Sequence, residues 1–202
     1  MDKIDLKKEL KGLYSASSKK AEILEVPAMN FLMVDGSGDP NTSEAYQKAI
    51  KALYAVSYGL KFCQKKQGRD YSVMPLEGLW WSEDMSSFIC SDRSLWKWTA
   101  MIMQPDFITP DMARQATEDA RAKKGLSVVP RFEAYQEGLS AQIMHIGPYS
   151  TEGPTVKMLH GFIEESGYER NGKHHELYLS DPRRAKPEKM KTILRQPIRR
   201  PG

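Results

Sequence analysis

The chain has 202 residues, a net charge of +4 from 30 Lys and Arg against 26 Asp and Glu, and a 40% hydrophobic fraction. That composition suits one globular domain or two small, closely packed halves, and so mild a basic excess argues against a polyanionic partner. The two cysteines, Cys63 and Cys90, stand in unrelated contexts, which excludes a CxxC zinc pattern and a disulfide framework and points to a reducing cytosol. The first residues lack an apolar stretch, and no run of about 18 apolar residues occurs anywhere, so neither a secretory signal nor a membrane span is expected.

Residues 1–20 are polar and charged with a few apolar positions, and read as a leader lying loosely on the surface. Residues 21–36 form a first strand region, with Pro27 marking a bend, bulge or edge. After a Gly-rich loop, Asn41 is expected to cap a helix with Glu44 at the capping-box position. Tyr46, Ile50, Leu53, Tyr54 and Leu60 give that helix, over about 43–65, one apolar face, and Gly68 stops it. A strand is expected over 70–82, again with an edge-type proline at Pro75, then a loop over 83–93. The next strand, 94–103, alternates: Trp96, Trp98 and Ala100 face one side, Lys97, Thr99 and Met101 the other.

Thr109-Pro110 starts a connector helix that ends at Gly125. Residues 132–146 read as a bent strand or a hairpin around Glu137-Gly138. A turn at 147–150 follows, and then a helix to about Ser166, capped by Ser150 or Thr151. Residues 173–180 form a strand in which Leu177 and Leu179 point one way and His174, Glu176 and Tyr178 the other. A last strand closes the chain near 190–198.

Strand, helix, strand, strand therefore occurs twice. The expected layout is a half over 21–108, a linker helix over 110–124 and a half over 130–198. A duplication of this kind implies a pseudo-two-fold axis with a ligand cleft beside it. In that alignment the segment holding Glu77 matches the one holding Glu176. Taken strand by strand, Glu176 is either a solvated glutamate or an enclosed carboxylate shared with Tyr178. Glu77, set in Met-Pro-Leu-Glu-Gly-Leu-Trp-Trp, carries more apolar neighbours than a solvated face needs. Trp80, Trp81, Trp96 and Trp98 are either core or an aromatic wall for flat or cationic ligands.

Tyr149 follows Gly147-Pro148 at a helix start, facing either a cleft or solvent. The histidines lack metal-ligand spacing, and the adjacent pair His174-His175 points to opposite faces, so no metal is expected. No GxGxxG, P-loop, GxSxG or HExxH motif occurs. The basic residues Arg183, Arg184, Lys186, Lys189, Lys191, Arg195, Arg199 and Arg200 are read as a solvated hairpin and tail rather than a nucleic-acid site.

Residues 74–81, His145-Ile146-Gly147-Pro148-Tyr149, 176–182 and 191–197 occur in this order and together resemble the GyrI-like small-molecule-binding family, in its stand-alone bacterial branch, over nearly the whole chain from about Ala21. The resemblance implies an α+β fold of two βαββ, SH2-like halves around a central groove, with Glu176 as the family's buried glutamate. It also implies a small aromatic or cationic ligand, no cofactor, no nucleic acid, no membrane and no obligate protein partner. Within that branch it implies hydrolysis of cyclopropanoid genotoxins, with Glu176 as base and Tyr149 or Tyr178 as hydrogen-bond donor. Glu77, Trp80, Trp81, Trp96, Trp98, Met101 and His145 are the ligand-binding candidates. The alternatives are a drug-sequestering protein using the same pocket and a gyrase-protecting interaction protein.

Overall fold

The computed structural model describes residues 3–82 and 95–202; the loop expected over 83–93, Ser94 and Cys90 lie outside the described residues. Two compact units emerge, one of Met1–Glu9 and Met29–Tyr135, the other of Leu10–Ala28 and Gln136–Gly202. Residues 21–28, expected in the first half, sort with the second unit, and the expected linker helix sorts with the first. The architecture is α+β: antiparallel strands carry helices, and no helix of the described residues is long and apolar enough to cross a membrane.

In the first unit, β1 (Glu22–Ser37) pairs antiparallel with β3 (Lys97–Gln104) from Asn30 onward, and β2 (Leu76–Trp81) pairs with the other side of β3. Pro75 has no N–H to give a ladder, and β2 begins directly after it. Helix α3 (Glu44–Lys66) is capped by Ser43, whose hydroxyl accepts from the Tyr46 amide at 3.2 Å. The expected cap, Asn41, instead bonds through its amides to Asp39 Oδ1 at 2.9 and 2.8 Å, closing an Asx turn one step earlier. Helix α4 (Pro110–Lys124) keeps its expected limits, with the Thr109 hydroxyl accepting from the Met112 amide and Gly125 left-handed at φ 60°.

Cross-strand partners share a face. Trp80 sits opposite Trp98, and both pack against Tyr46 of α3 at ring distances of 5.7 and 4.9 Å. Gly36 is opposite Trp98, and a Cβ there would overlap the indole ring. Its missing side chain therefore makes the room that the tryptophan fills.

In the second unit, β7 (Lys191–Arg199) is flanked by the later part of β4 (Arg131–Ile146) and by β6 (His174–Tyr178), with the short β5 (Glu169–Arg170) paired near its end. β4 is one bent strand, not a hairpin, and Gly138 takes the bend at φ 76°. Helix α5 (Gly153–Glu165) lies on one face, where Leu159 and Ile163 join Ile143, Leu194, Ala141, Ile198 and Ala21 in the core. The expected caps do not cap it: the Thr151 hydroxyl donates to the Pro148 carbonyl at 2.8 Å, and Tyr149–Thr151 forms a short 3-10 turn ahead of the helix.

The opposite face of β7 holds a charged cluster. Arg195, 0% exposed, stands between Gln142 on β4 and His175 on β6. Its guanidinium donates to Glu137 Oε2 at 3.2 Å and to Gln142 Oε1 at 3.0 and 3.2 Å. His175 Nδ1 donates to both Glu137 oxygens at 3.0 Å. Arg195 also donates to the Leu13 carbonyl, while the Gln142 amide donates to the carbonyls of Gly12 and Ser15. The segment expected to lie loosely is thus gripped by its backbone, with Tyr14 buried. Farther back, Leu6 is buried and Ile4 donates its amide to the Asp70 carbonyl in the first unit. Side-chain polarity hides this attachment, because carbonyls make the bonds. The short helices α1 (Leu6–Glu9) and α2 (Lys11–Tyr14) follow from it.

Burial alone would push the Glu137 carboxyl up, but the charges and hydrogen bonds of His175 and Arg195 more than offset it and hold the carboxyl below its ordinary value.

Two outcomes are expected. Gly36→Ala should destabilise the protein by about 1–3 kcal/mol through overpacking against Trp98, read by urea unfolding; unchanged stability would show that the indole moves aside freely. Glu137→Gln should cost about 3–5 kcal/mol, because it leaves a buried guanidinium without its counter-charge. A folded carboxyl held low stabilises fully above the unfolded value of about 4.3 and loses that contribution as pH falls through the folded value. Wild-type melting should therefore fall in acid by more than that of Glu137→Gln.

Candidate functional site

The period of two in β6 sorts its residues. Glu176 pairs across with Leu194 and Tyr178 with Thr192, which places Glu176, Tyr178 and His174 on the face of β7 that α5 covers. His175 and Leu177 fall on the other face with the charged cluster.

On the α5 face the Tyr178 hydroxyl donates to Glu176 Oε2 at 2.8 Å. His174 Nε2 lies 3.5 Å from Glu176 Oε1, with side-chain exposures of 11% and 16% respectively. The carboxylate is shielded yet not sealed, and each of its oxygens faces a residue two positions away on its own strand. The Tyr149 ring meets the Tyr178 ring edge-on at 5.5 Å between centroids.

His145 shares this end of the sheet, since it is opposite Thr192, the partner of Tyr178. Its Nε2 donates to the Pro148 carbonyl at 3.3 Å, and its Nδ1 lies 2.9 Å from the Thr155 hydroxyl of α5. Gly147, at φ 141°, leaves no room for a side chain beside Thr151 and His145. His145, expected as a ligand contact, thus ties the turn that carries Tyr149 to the start of α5. Four of the candidates, Glu176, Tyr178, Tyr149 and His145, come together here.

The candidates of the first unit separate into two faces. Trp80 and Trp98 lie beneath α3, 3% and 1% exposed, so their rings are spent on the core. Trp96, half-buried just before β3, meets Trp80 edge-on at 5.8 Å. Glu77 pairs with Met101, and Trp81 with Lys97, which places these residues on the sheet face away from α3. Glu77 is fully buried there. The same face carries Thr99, whose hydroxyl donates to Asp35 at 2.6 Å, and Arg131, which reaches Asp35 at 2.6 Å. Glu77 therefore lies on the sheet face away from its unit's helix, whereas Glu176 lies on the face toward its own. The expected equivalence of Glu77 and Glu176 is corrected by this parity: aligned by helix face, Glu77 is one residue out of step.

The sequence placed His174 on the face of Glu176 and Tyr178, yet His174 was not among the expected site residues. Sequence reasoning also missed the Glu137–His175–Arg195 cluster. The one local signal was an arginine directly after the apolar pair Ile193 and Leu194 in the last strand.

A model of the GyrI-like small molecule binding domain matches residues 19–199. Among solved structures, an uncharacterized conserved protein from Listeria innocua is 46% identical, covering 98% of this chain and 100% of its own, with a TM-score of 0.88. Two further Listeria innocua structures, each described as a hydrolase, are 44% and 45% identical over 98% of this chain and 100% of their own, with TM-scores of 0.86 and 0.84. The EcmrR C-terminal domain, at 13% identity and a TM-score of 0.56 over 90% of this chain and 98% of its own, shares the fold. No curated protein matches the chain.

Proposed function

This chain belongs to the GyrI-like small-molecule-binding domain family, and from that premise we propose that it binds flat aromatic or cationic small molecules at Glu176 and hydrolyses strained cyclopropanoid rings. The observation that carries this reading is the Glu176 carboxylate, held on one oxygen by the Tyr178 hydroxyl at 2.8 Å and bordered by aromatic rings. The two Listeria innocua structures described as hydrolases, at 44% and 45% identity, support the hydrolytic half of it.

In this reading Glu176 is the general base. It takes a proton from water as the water oxygen bonds to a strained ring carbon. The ring C–C bond breaks, and its electron pair moves through the conjugated system to a carbonyl oxygen. That oxygen needs a donor. Tyr178 has a single hydroxyl proton, and it is directed at Glu176, so the role is assigned to Tyr149, which is 39% exposed. Ring strain supplies much of the driving force, and the protein contributes mainly position. No step in this scheme calls for a cofactor.

The test is to incubate the protein with a cyclopropanoid of the duocarmycin type and follow products by mass spectrometry. The wild type should yield the ring-opened adduct heavier by one water. Glu176→Gln should lower the rate by about 10²- to 10⁴-fold. Binding with no hydrated product would overturn the hydrolase in favour of sequestration, with Glu176 as counter-ion. A Glu176→Gln variant at the wild-type rate would remove the base assignment.

A further inference from the structure

Two adjacent histidines have separate fates. His175 is buried against Glu137 on one face of β6, and His174 projects from the other toward Glu176. The proposed hydrolysis gives neither a role. We infer that His174 is a positioning residue for Glu176: with Tyr178 it borders the carboxylate from both sides and limits how it can turn. The inference rests on Glu176 being the working carboxylate.

The geometry is a comb of three side chains on one strand face. Residues i−2, i and i+2 project in the same direction from Cα atoms about 7 Å apart, and their ends converge. The Tyr178 hydroxyl holds Oε2, and His174 Nε2 stands 3.5 Å from Oε1. A carboxylate has about four lone-pair sites. One hydrogen bond and one close ring nitrogen therefore restrict the rotation of the carboxylate and still leave acceptor capacity on each oxygen for a water.

Helix α5 and strand β5 contribute a further pair, His160 and Arg170. His160 on α5 receives Arg170 Nη1 from β5 at 3.2 Å on its Nδ1. A guanidinium only donates, so Nδ1 must accept and the His160 ring is neutral. Burial, Arg170 and then His174 push the His160 pKa down to about 4. Titratable or charged groups on the α5 face of this unit include His174 and Tyr178 on the strand of Glu176, His145 on β4, Tyr149 before α5, His160 on α5 and Arg170 on β5. β7 places Leu194 and Thr192 opposite, neither of them titratable. Of these groups, His174 Nε2 and the Tyr178 hydroxyl are the ones seen to approach the carboxylate.

The experiment uses two variants of the full chain, His174→Phe and His174→Gln, after confirming wild-type melting for each. On a cyclopropanoid substrate, His174→Phe should lower kcat about 10- to 100-fold with KM changed by less than about threefold, the signature of lost placement rather than lost binding. His174→Gln keeps a donor and should recover part of kcat. Wild-type kcat in both variants, or a rise in KM alone, would overturn the inference. A readout independent of turnover separates this failure from that of the proposed activity. The side-chain carboxyl ¹³C chemical shift of Glu176, measured by NMR, should move in His174→Phe relative to the wild type and return part of the way in His174→Gln. If the signal is the same in the wild type and His174→Phe, His174 does not act on Glu176, whether or not the protein is a hydrolase.

Discussion

A buried guanidinium governs the second unit. Arg195 lies in the middle of β7, 0% exposed, and binds Glu137, Gln142 and the Leu13 carbonyl. Its registered neighbours are Gln142 on one side and His175 on the other. A one-residue slip of β6 would move every side chain to the opposite face. Glu176 would then enter the charged cluster, and His175 would face α5. The slip would set an acidic side chain beside Glu137 and deprive that carboxylate of its histidine. The cluster therefore selects the register in which His174, Glu176 and Tyr178 project together.

Such a cluster is poor evidence of stability in itself, because desolvating charges costs about what their pairing returns. Its physical effect is discrimination between arrangements. The same bonds extend to Gly12, Leu13 and Ser15, so the register of β6 and the docking of the N-terminal segment depend on one set of groups. On the α5 face a second small set does similar work. His145, Thr155 and the Pro148 carbonyl fix the turn, the turn carries Tyr149, and Tyr149 packs on the tyrosine that binds Glu176.

Local pattern made much of this readable. Period-two alternation in 173–180 put His174, Glu176 and Tyr178 on one face, as the pairing with β7 shows. Thr109-Pro110 and Gly125 marked the limits of α4 because capping chemistry is local. Features that depend on distant partners were hidden. Glu137, His175 and Arg195 are separated by 38 and 58 positions, and Arg195 read as one of many basic residues near the C-terminus. The face assignment of Glu77 required knowing on which side α3 packs, and that is decided by Tyr46 meeting Trp80 and Trp98. The cap of α3 moved from Asn41 to Ser43 because Asp39 offered Asn41 a nearer acceptor.

The most direct measurement is a crystal structure of the Glu176→Gln variant with an unreacted cyclopropanoid. The ring should be intact, with its strained carbon on the α5 side of β6, a water bridging it to the residue 176 side chain, and the substrate carbonyl oxygen within hydrogen-bond reach of Tyr149. A ligand seated away from residue 176, or one that contacts it with no room for a water between, would contradict the assignment of Glu176 as the working carboxylate.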